Sequence, residues 1–148
     1  MMNRKKFISA LVPLGASLAA TANVKKFEDP DSRIKIPEYL NPGDIIGITS
    51  PAGYITDEDI RPSILKLQEW GYNIKTGNTI GKRDFTYGGT DAERLTDFQQ
   101  MLDDKNVKAV MCARGGYGAL RIIDKIDFTN FVAHPKWIIG FSDITVMH

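Results

Sequence analysis

Ser142 is the residue whose setting points most directly to chemistry. It follows the apolar run Trp137-Ile138-Ile139-Gly140 and precedes a segment of helical character. A strand–turn–helix passage of this kind pushes a hydroxyl out at the rim of a sheet with a helix N-terminus beneath it. That is the setting of a nucleophile elbow, although Gly140-Phe141-Ser142-Asp143 lacks the second glycine of the G-x-S-x-G pattern. Serine and aspartate also cap helices routinely, and position alone favours the cap. The second candidate is Arg114-Gly115-Gly116-Tyr117-Gly118, which follows the apolar run Val110-Met111-Cys112-Ala113. Paired glycines after a strand let the backbone turn N–H groups toward an anion or a developing oxyanion. The run is not a P-loop and fails G-x-G-x-x-G spacing, and most glycine-rich turns are only turns. Arg114 can clamp a carboxylate through its planar fork or stay solvated. Tyr117 can line a pocket or simply pack on the helix after it. Asp84, Asp91, Glu93 and Arg94 read as a solvated face with capping duty, and no chemistry is assigned to them.

Positioning these loops requires a frame, and the hydrophobic pattern supplies one. Asp44 to Thr49 is a short apolar run, as in a strand covered on both sides. It breaks at Ser50-Pro51-Ala52-Gly53. Thr56 or Asp57 caps a helix running to about Trp70, with Ile60, Ile64 and Leu67 on one face and Gly71 at its end. Tyr72 to Lys75 is a second strand. Thr90-Asp91-Ala92-Glu93 has the form of a capping box, opening a helix that turns Leu95, Phe98, Met101 and Leu102 inward. Ala109 to Ala113 is a strand, Ala119 to Ile126 a helix, and Lys136 to Gly140 a strand leading to a helix near Ile144. Strand and helix alternate four times with short connections, which predicts an α/β domain: an open, mostly parallel sheet with helices on both faces. Ligands of such sheets bind beyond the carboxyl ends of the strands, where all three loops lie.

The 148 residues are 43% hydrophobic and 25% charged, which places the chain among globular proteins rather than disordered ones. A formal charge of +1 gives no electrostatic case for nucleic acid. One cysteine, Cys112, and two histidines, His134 and His148, argue against a disulfide, a thiolate zinc site or a multi-histidine metal centre. Cys112 sits in an apolar run and reads as a small buried hydrophobe. Residues 1–22 look like a secretory signal peptide: Arg4, Lys5 and Lys6, then an uncharged stretch ending in Ala20-Thr21-Ala22. The stretch is too short and interrupted for a membrane span, so an exported protein is expected, periplasmic in a Gram-negative cell. Residues 23–41 read as a linker and entry loop, and 42–148 as the domain. The sequence stops inside the first turn of a helix, so it reads as the front part of a longer protein.

Together the loops carry a resemblance. Pro42-Gly43-Asp44, Ser50-Pro51-Ala52-Gly53, Tyr87-Gly88-Gly89-Thr90-Asp91 with Arg94, Arg114-Gly115-Gly116-Tyr117-Gly118 and Gly140-Phe141-Ser142-Asp143 occur in order at suitable spacing. The stretch from Ile36 to His148 resembles the N-terminal domain of the LD-carboxypeptidases, serine peptidase family S66, which also contains the microcin C immunity peptidases. The resemblance implies a flavodoxin-like or class I glutamine amidotransferase-like fold. It implies a serine hydrolase that cuts the amide to a terminal D-alanine in murein tetrapeptides. It places the nucleophile at Ser142 and an oxyanion hole at the backbone N–H groups of Gly116 and Asp143. Arg114, Gly115 and Tyr117 fall beside it as substrate-binding candidates, and no cofactor or metal is implied.

Two departures qualify the resemblance. The family's general-base histidine and its glutamate partner belong to a C-terminal domain that this sequence does not contain. His134 falls on the amino-end side of a strand and His148 follows the nucleophile on its helix, so neither suits the base. Without a base the serine is a weak nucleophile, and the chain as written is expected to be inactive. Second, family members in murein recycling are commonly cytoplasmic, whereas this chain carries a leader. The other readings are a non-catalytic module binding peptidoglycan peptides and an amide hydrolase of the microcin-immunity type. A second copy of the chain is a further candidate partner.

Overall fold

A computed structural model of the protein describes residues 35–148, and the leader and the first part of the linker lie outside the described residues. Among the described residues, four strands form one sheet: β1 (Ile45–Thr49), β2 (Asn73–Thr76), β3 (Val107–Cys112) and β4 (Trp137–Ile139). The order is β2-β1-β3-β4 and every pairing is parallel. The sheet is the open parallel α/β arrangement that the alternating pattern predicts.

Two long helices cover opposite faces. On one, α1 (Asp57–Glu69) brings Ile60 and Leu67 onto Ile46 and Ile48 of β1 and Ala109 of β3. On the other, α2 (Asp91–Asp103) packs Phe98, Met101 and Leu102 against Val107, Val110 and Cys112. Period-two alternation divides β1 between the two layers. Gly47 sits on the α2 side, where a Cβ would stand 2.7 Å from the Met101 sulfur, so its bare backbone lets that helix approach. Burial pushes the Cys112 thiol up to about 12, so it remains an inert hydrophobe.

Local signals set the helix ends. Thr56 and Thr90 both close capping boxes, with Asp59 and Glu93 reaching back to the cap. Gly71, at φ +92°, ends α1 with the two backbone bonds of a Schellman motif, Tyr72 N to Leu67 O at 3.1 Å and Gly71 N to Gln68 O at 2.9 Å. Lys82, at 2.7 Å, and the Thr90 N–H and hydroxyl hold the Glu93 carboxyl down to about 2. A depressed carboxylate contributes its stabilisation above the unfolded value and loses it as pH falls through the folded one. The α2 cap is therefore expected to hold at pH 4 and fail only toward pH 2. A carboxyl-carbon NMR titration of Glu93 checks this, and a midpoint near the ordinary 4.5 contradicts it.

Three expectations change. The segment Ala119–Ile126 is not one helix but two 3-10 turns, Ala119–Arg121 and Ile123–Lys125. So short a segment loses few i→i−4 bonds by tightening, and i→i+3 bonds such as Ile122 N to Ala119 O (3.1 Å) replace them while Ile122 and Ile126 stay buried. After β4 the chain likewise enters a 3-10 turn, Ser142–Met147. A short helix, α3 (Thr129–Ala133), lies where the hydrophobic pattern indicated none. Of the linker and entry loop, Glu38 and Tyr39 rest on β4: Trp137 Nε1 donates to Glu38 O at 2.9 Å, and the Tyr39 and Trp137 rings stack.

Candidate active site

Parallel pairing sends the segments after β1, β3 and β4 out of the same edge of the sheet, and there the three glycine-bearing loops touch. Gly53 N donates to Gly115 O at 2.9 Å. A Cβ on Gly53 would meet that carbonyl oxygen at 2.6 Å, so glycine is needed for the approach. A Cβ on Gly115 would stand 2.9 Å from Ser142 Cβ and 3.0 Å from Phe141 O. The turn after β3 is thus pressed against the turn after β4.

Ser142 adopts φ +61°, left-handed backbone that costs a non-glycine residue roughly 1–3 kcal/mol. It is exposed, and the cap position of its 3-10 turn belongs to Phe141, with no side chain bonding to the turn's N–H groups. The Ser142 hydroxyl therefore does not serve as a cap. Asp143 bonds elsewhere: its Oδ2 accepts Ala119 N at 2.8 Å and fastens this turn to the one after Gly118. Gly116 adopts φ +97°, and neither its amide nor that of Asp143 donates to a backbone carbonyl among the described residues. The geometry leaves a hydroxyl and two free amides on one rim.

Arg114 is exposed and donates through Nη1 to Tyr54 O at 2.8 Å. Tyr117 is exposed too and borders a cavity of about 410 Å³ with Gly53, Gly116 and Arg114. A second cavity, about 480 Å³, opens at the opposite, amino end of the strands among Asp44, Val107, His134 and Lys136, away from all three loops. His134 therefore lies at the wrong end of the sheet for Ser142. Among the described residues, no group of three His, Cys, Asp or Glu side chains is placed to hold a metal ion.

Arg94 departs from its expected placement. It is not on a solvated face: its side chain is wholly buried and binds three loops at once. Nη1 donates to Pro51 O (2.5 Å) and Gly118 O (2.8 Å), and Nε donates to Gly89 O (3.1 Å). Nη2 pairs with Asp91, which also takes Arg121 at 2.9 Å, and both guanidinia lie over the Tyr87 ring. Burial pulls the Arg94 pKa below its ordinary value, and Asp91 opposes that shift. Asp97, one turn on, is also buried. Its carboxylate accepts Thr49 Oγ1 and Thr79 Oγ1 at 2.6 Å and Asn78 N at 2.7 Å, while Thr79 Oγ1 accepts Ser50 N at 2.8 Å. The signal was present in the spacing: residues 94, 97, 98 and 101 follow the i, i+3, i+4, i+7 rule of one helix face.

The comparisons with known proteins agree with this frame. Residues 46–148 match the family model described as the LD-carboxypeptidase N-terminal domain, Peptidase_S66. A probable murein peptide carboxypeptidase of Bacillus subtilis is 40% identical over 112 residues, which cover 76% of this chain and 35% of that protein. The wild-type apo structure of the microcin C7 self-immunity protein superposes with TM-score 0.72 at 28% identity, covering 76% of this chain and 35% of that one. The muramoyltetrapeptide carboxypeptidase of Oxalobacter formigenes gives TM-score 0.63 at 31% identity over 70% of this chain and 34% of that one. The chain thus spans about a third of the length of these relatives. With the match running from Ile46 of β1 through the Ser142 turn, the chain belongs to the peptidase S66 family, as its LD-carboxypeptidase N-terminal domain.

Proposed function

We propose that this domain carries the nucleophile of a serine-type carboxypeptidase that cuts the amide to a terminal D-alanine in murein tetrapeptides. One observation carries the reading: Ser142 stands exposed in strained left-handed backbone after β4, against Gly115, with no capping role. Strain of this kind persists where the surrounding structure imposes it, commonly at catalytic turns. In the proposed reaction Ser142 Oγ attacks the scissile carbonyl carbon and its proton passes to a general base. The carbonyl oxygen gains negative charge and takes the amides of Gly116 and Asp143. The C–N bond then breaks, the amine leaves with the proton, and water releases the acyl group from Ser142. The base and its carboxylate partner would come from beyond His148. The signal-like pattern of residues 1–22 supports an exported enzyme acting on cell-wall peptides.

A serine-directed fluorophosphonate tests the assignment in the full-length protein. Mass spectrometry is expected to find one phosphonyl group, on the peptide containing Ser142, with turnover lost in proportion. Labelling on another residue, with Ser142 unmodified, refutes it. The superposition on the microcin C7 self-immunity protein favours a second reading, an amide hydrolase acting on a peptide–nucleotide conjugate. The 40% identity to a probable murein peptide carboxypeptidase supports the murein substrate first. Competition between the two substrate types separates the readings.

A further inference from the structure

The cavity of about 410 Å³ beside Gly116 has a charge pattern that the nucleophile reading does not use. Arg83 and Arg114 both line it, with Tyr54, Phe85 and Tyr117, and no carboxylate does. Each guanidinium is held by the backbone: Arg83 Nε donates to Phe85 O at 2.9 Å and Arg114 Nη1 to Tyr54 O at 2.8 Å. Arg83 also lies 5.1 Å from the centre of the Tyr54 ring. Neither has an ion-pair partner among the described residues, whereas Arg94 and Arg121 share Asp91 and Lys82 has Glu93. Phe85, between the loops, is a second non-glycine residue in left-handed backbone (φ +54°) and is 83% exposed. Two uncompensated guanidinia on one cavity repel each other, and an anion relieves both. Because carbonyls already fix them, little rotamer freedom is lost when a carboxylate takes their remaining N–H groups. Gly116 links the two features, since it lines the cavity and follows the residue packed on Ser142.

We propose that the Arg83–Arg114 cavity is the subsite for the free terminal carboxylate of the peptide substrate, with Arg83 as a specificity-determining residue. The proposal rests on the reading of Ser142 as nucleophile for its substrate class, and its test does not need turnover. In full-length protein carrying Ser142→Ala, calorimetry compares a tetrapeptide ending in D-alanine with the same peptide as its terminal amide. The acid is expected to bind roughly tenfold to a hundredfold more tightly, the range of a charge-assisted pair. Arg83→Gln and Arg114→Gln each cut that preference about tenfold. Both side chains are exposed, so the variants fold, and Arg61→Gln on the exposed side of α1 leaves the preference unchanged. Equal binding of acid and amide by the parent overturns the proposal, as does a preference that survives both substitutions. Inorganic phosphate displacing the acid peptide at the peptide's own Kd overturns it too, by making the cavity a general anion site. Acid preference without Ser142-dependent turnover in the unsubstituted protein sustains the subsite and removes the nucleophile instead.

Discussion

Full-length protein carrying Ser142→Ala is expected to bind the murein tetrapeptide but to release D-alanine roughly ten-thousand- to a million-fold more slowly than the parent. That range is set by removing the nucleophile of a serine hydrolase while its oxyanion donors and binding contacts remain. The substitution is gentle on the fold: Ser142 is exposed, and its hydroxyl caps nothing. Alanine at φ +61° retains the backbone strain already present. A KM that stays within a few-fold while kcat collapses identifies a group acting in the transition state. Turnover surviving within tenfold would return Ser142 to a structural role. If neither parent nor variant turns over but both bind the peptide, the binding-module reading takes its place.

Arg94→Met is expected to destabilise the protein by about 3–5 kcal/mol, since each buried carbonyl left without its donor costs roughly 1–3 kcal/mol. Total stability of such a domain is about 5–15 kcal/mol, so this is a large fraction. Methionine fills much of the volume but leaves Pro51 O and Gly89 O without the donor they now have, and Gly118 O with the Arg121 N–H alone. Asp91 keeps Arg121 at 2.9 Å, so the loss falls mainly on the buried carbonyls. Arg94→Lys retains the charge but cannot span three carbonyls and a carboxylate with one ammonium, so it recovers only part of the loss. Urea unfolding of the three proteins measures this, and a shift under about 1 kcal/mol for Arg94→Met contradicts the clamp. In full-length protein the same substitution loosens the loops that carry Pro51 and Gly118, next to the Gly115–Gly116 turn. A fall in kcat larger than the rise in KM is then expected.

The frame is legible along the chain. The β–α alternation, the capping boxes at Thr56 and Thr90, the stop at Gly71 and the parallel sheet depend on residues within a few positions of one another or on strict periodicity. It also brought Ser142, Gly115 and Gly116 to one edge, because parallel strands send their following loops the same way. What the charged residues do is set only once the chain has folded. Arg94 and Asp97 share a helix face with Phe98 and Met101, yet a charge on a helix is ordinarily solvated unless buried partners await it. Those partners are Pro51 O, Gly89 O and Gly118 O for one, and Thr49, Asn78 and Thr79 for the other. Most lie far along the chain and meet α2 only when the sheet forms. The same holds for the 3-10 turns after Gly118, where Asp143 binds the Ala119 N–H, a contact made 24 residues away in the chain. Local pattern fixes an element because its hydrogen bonds close locally, whereas a buried charge is fixed only by groups that the completed fold brings to it.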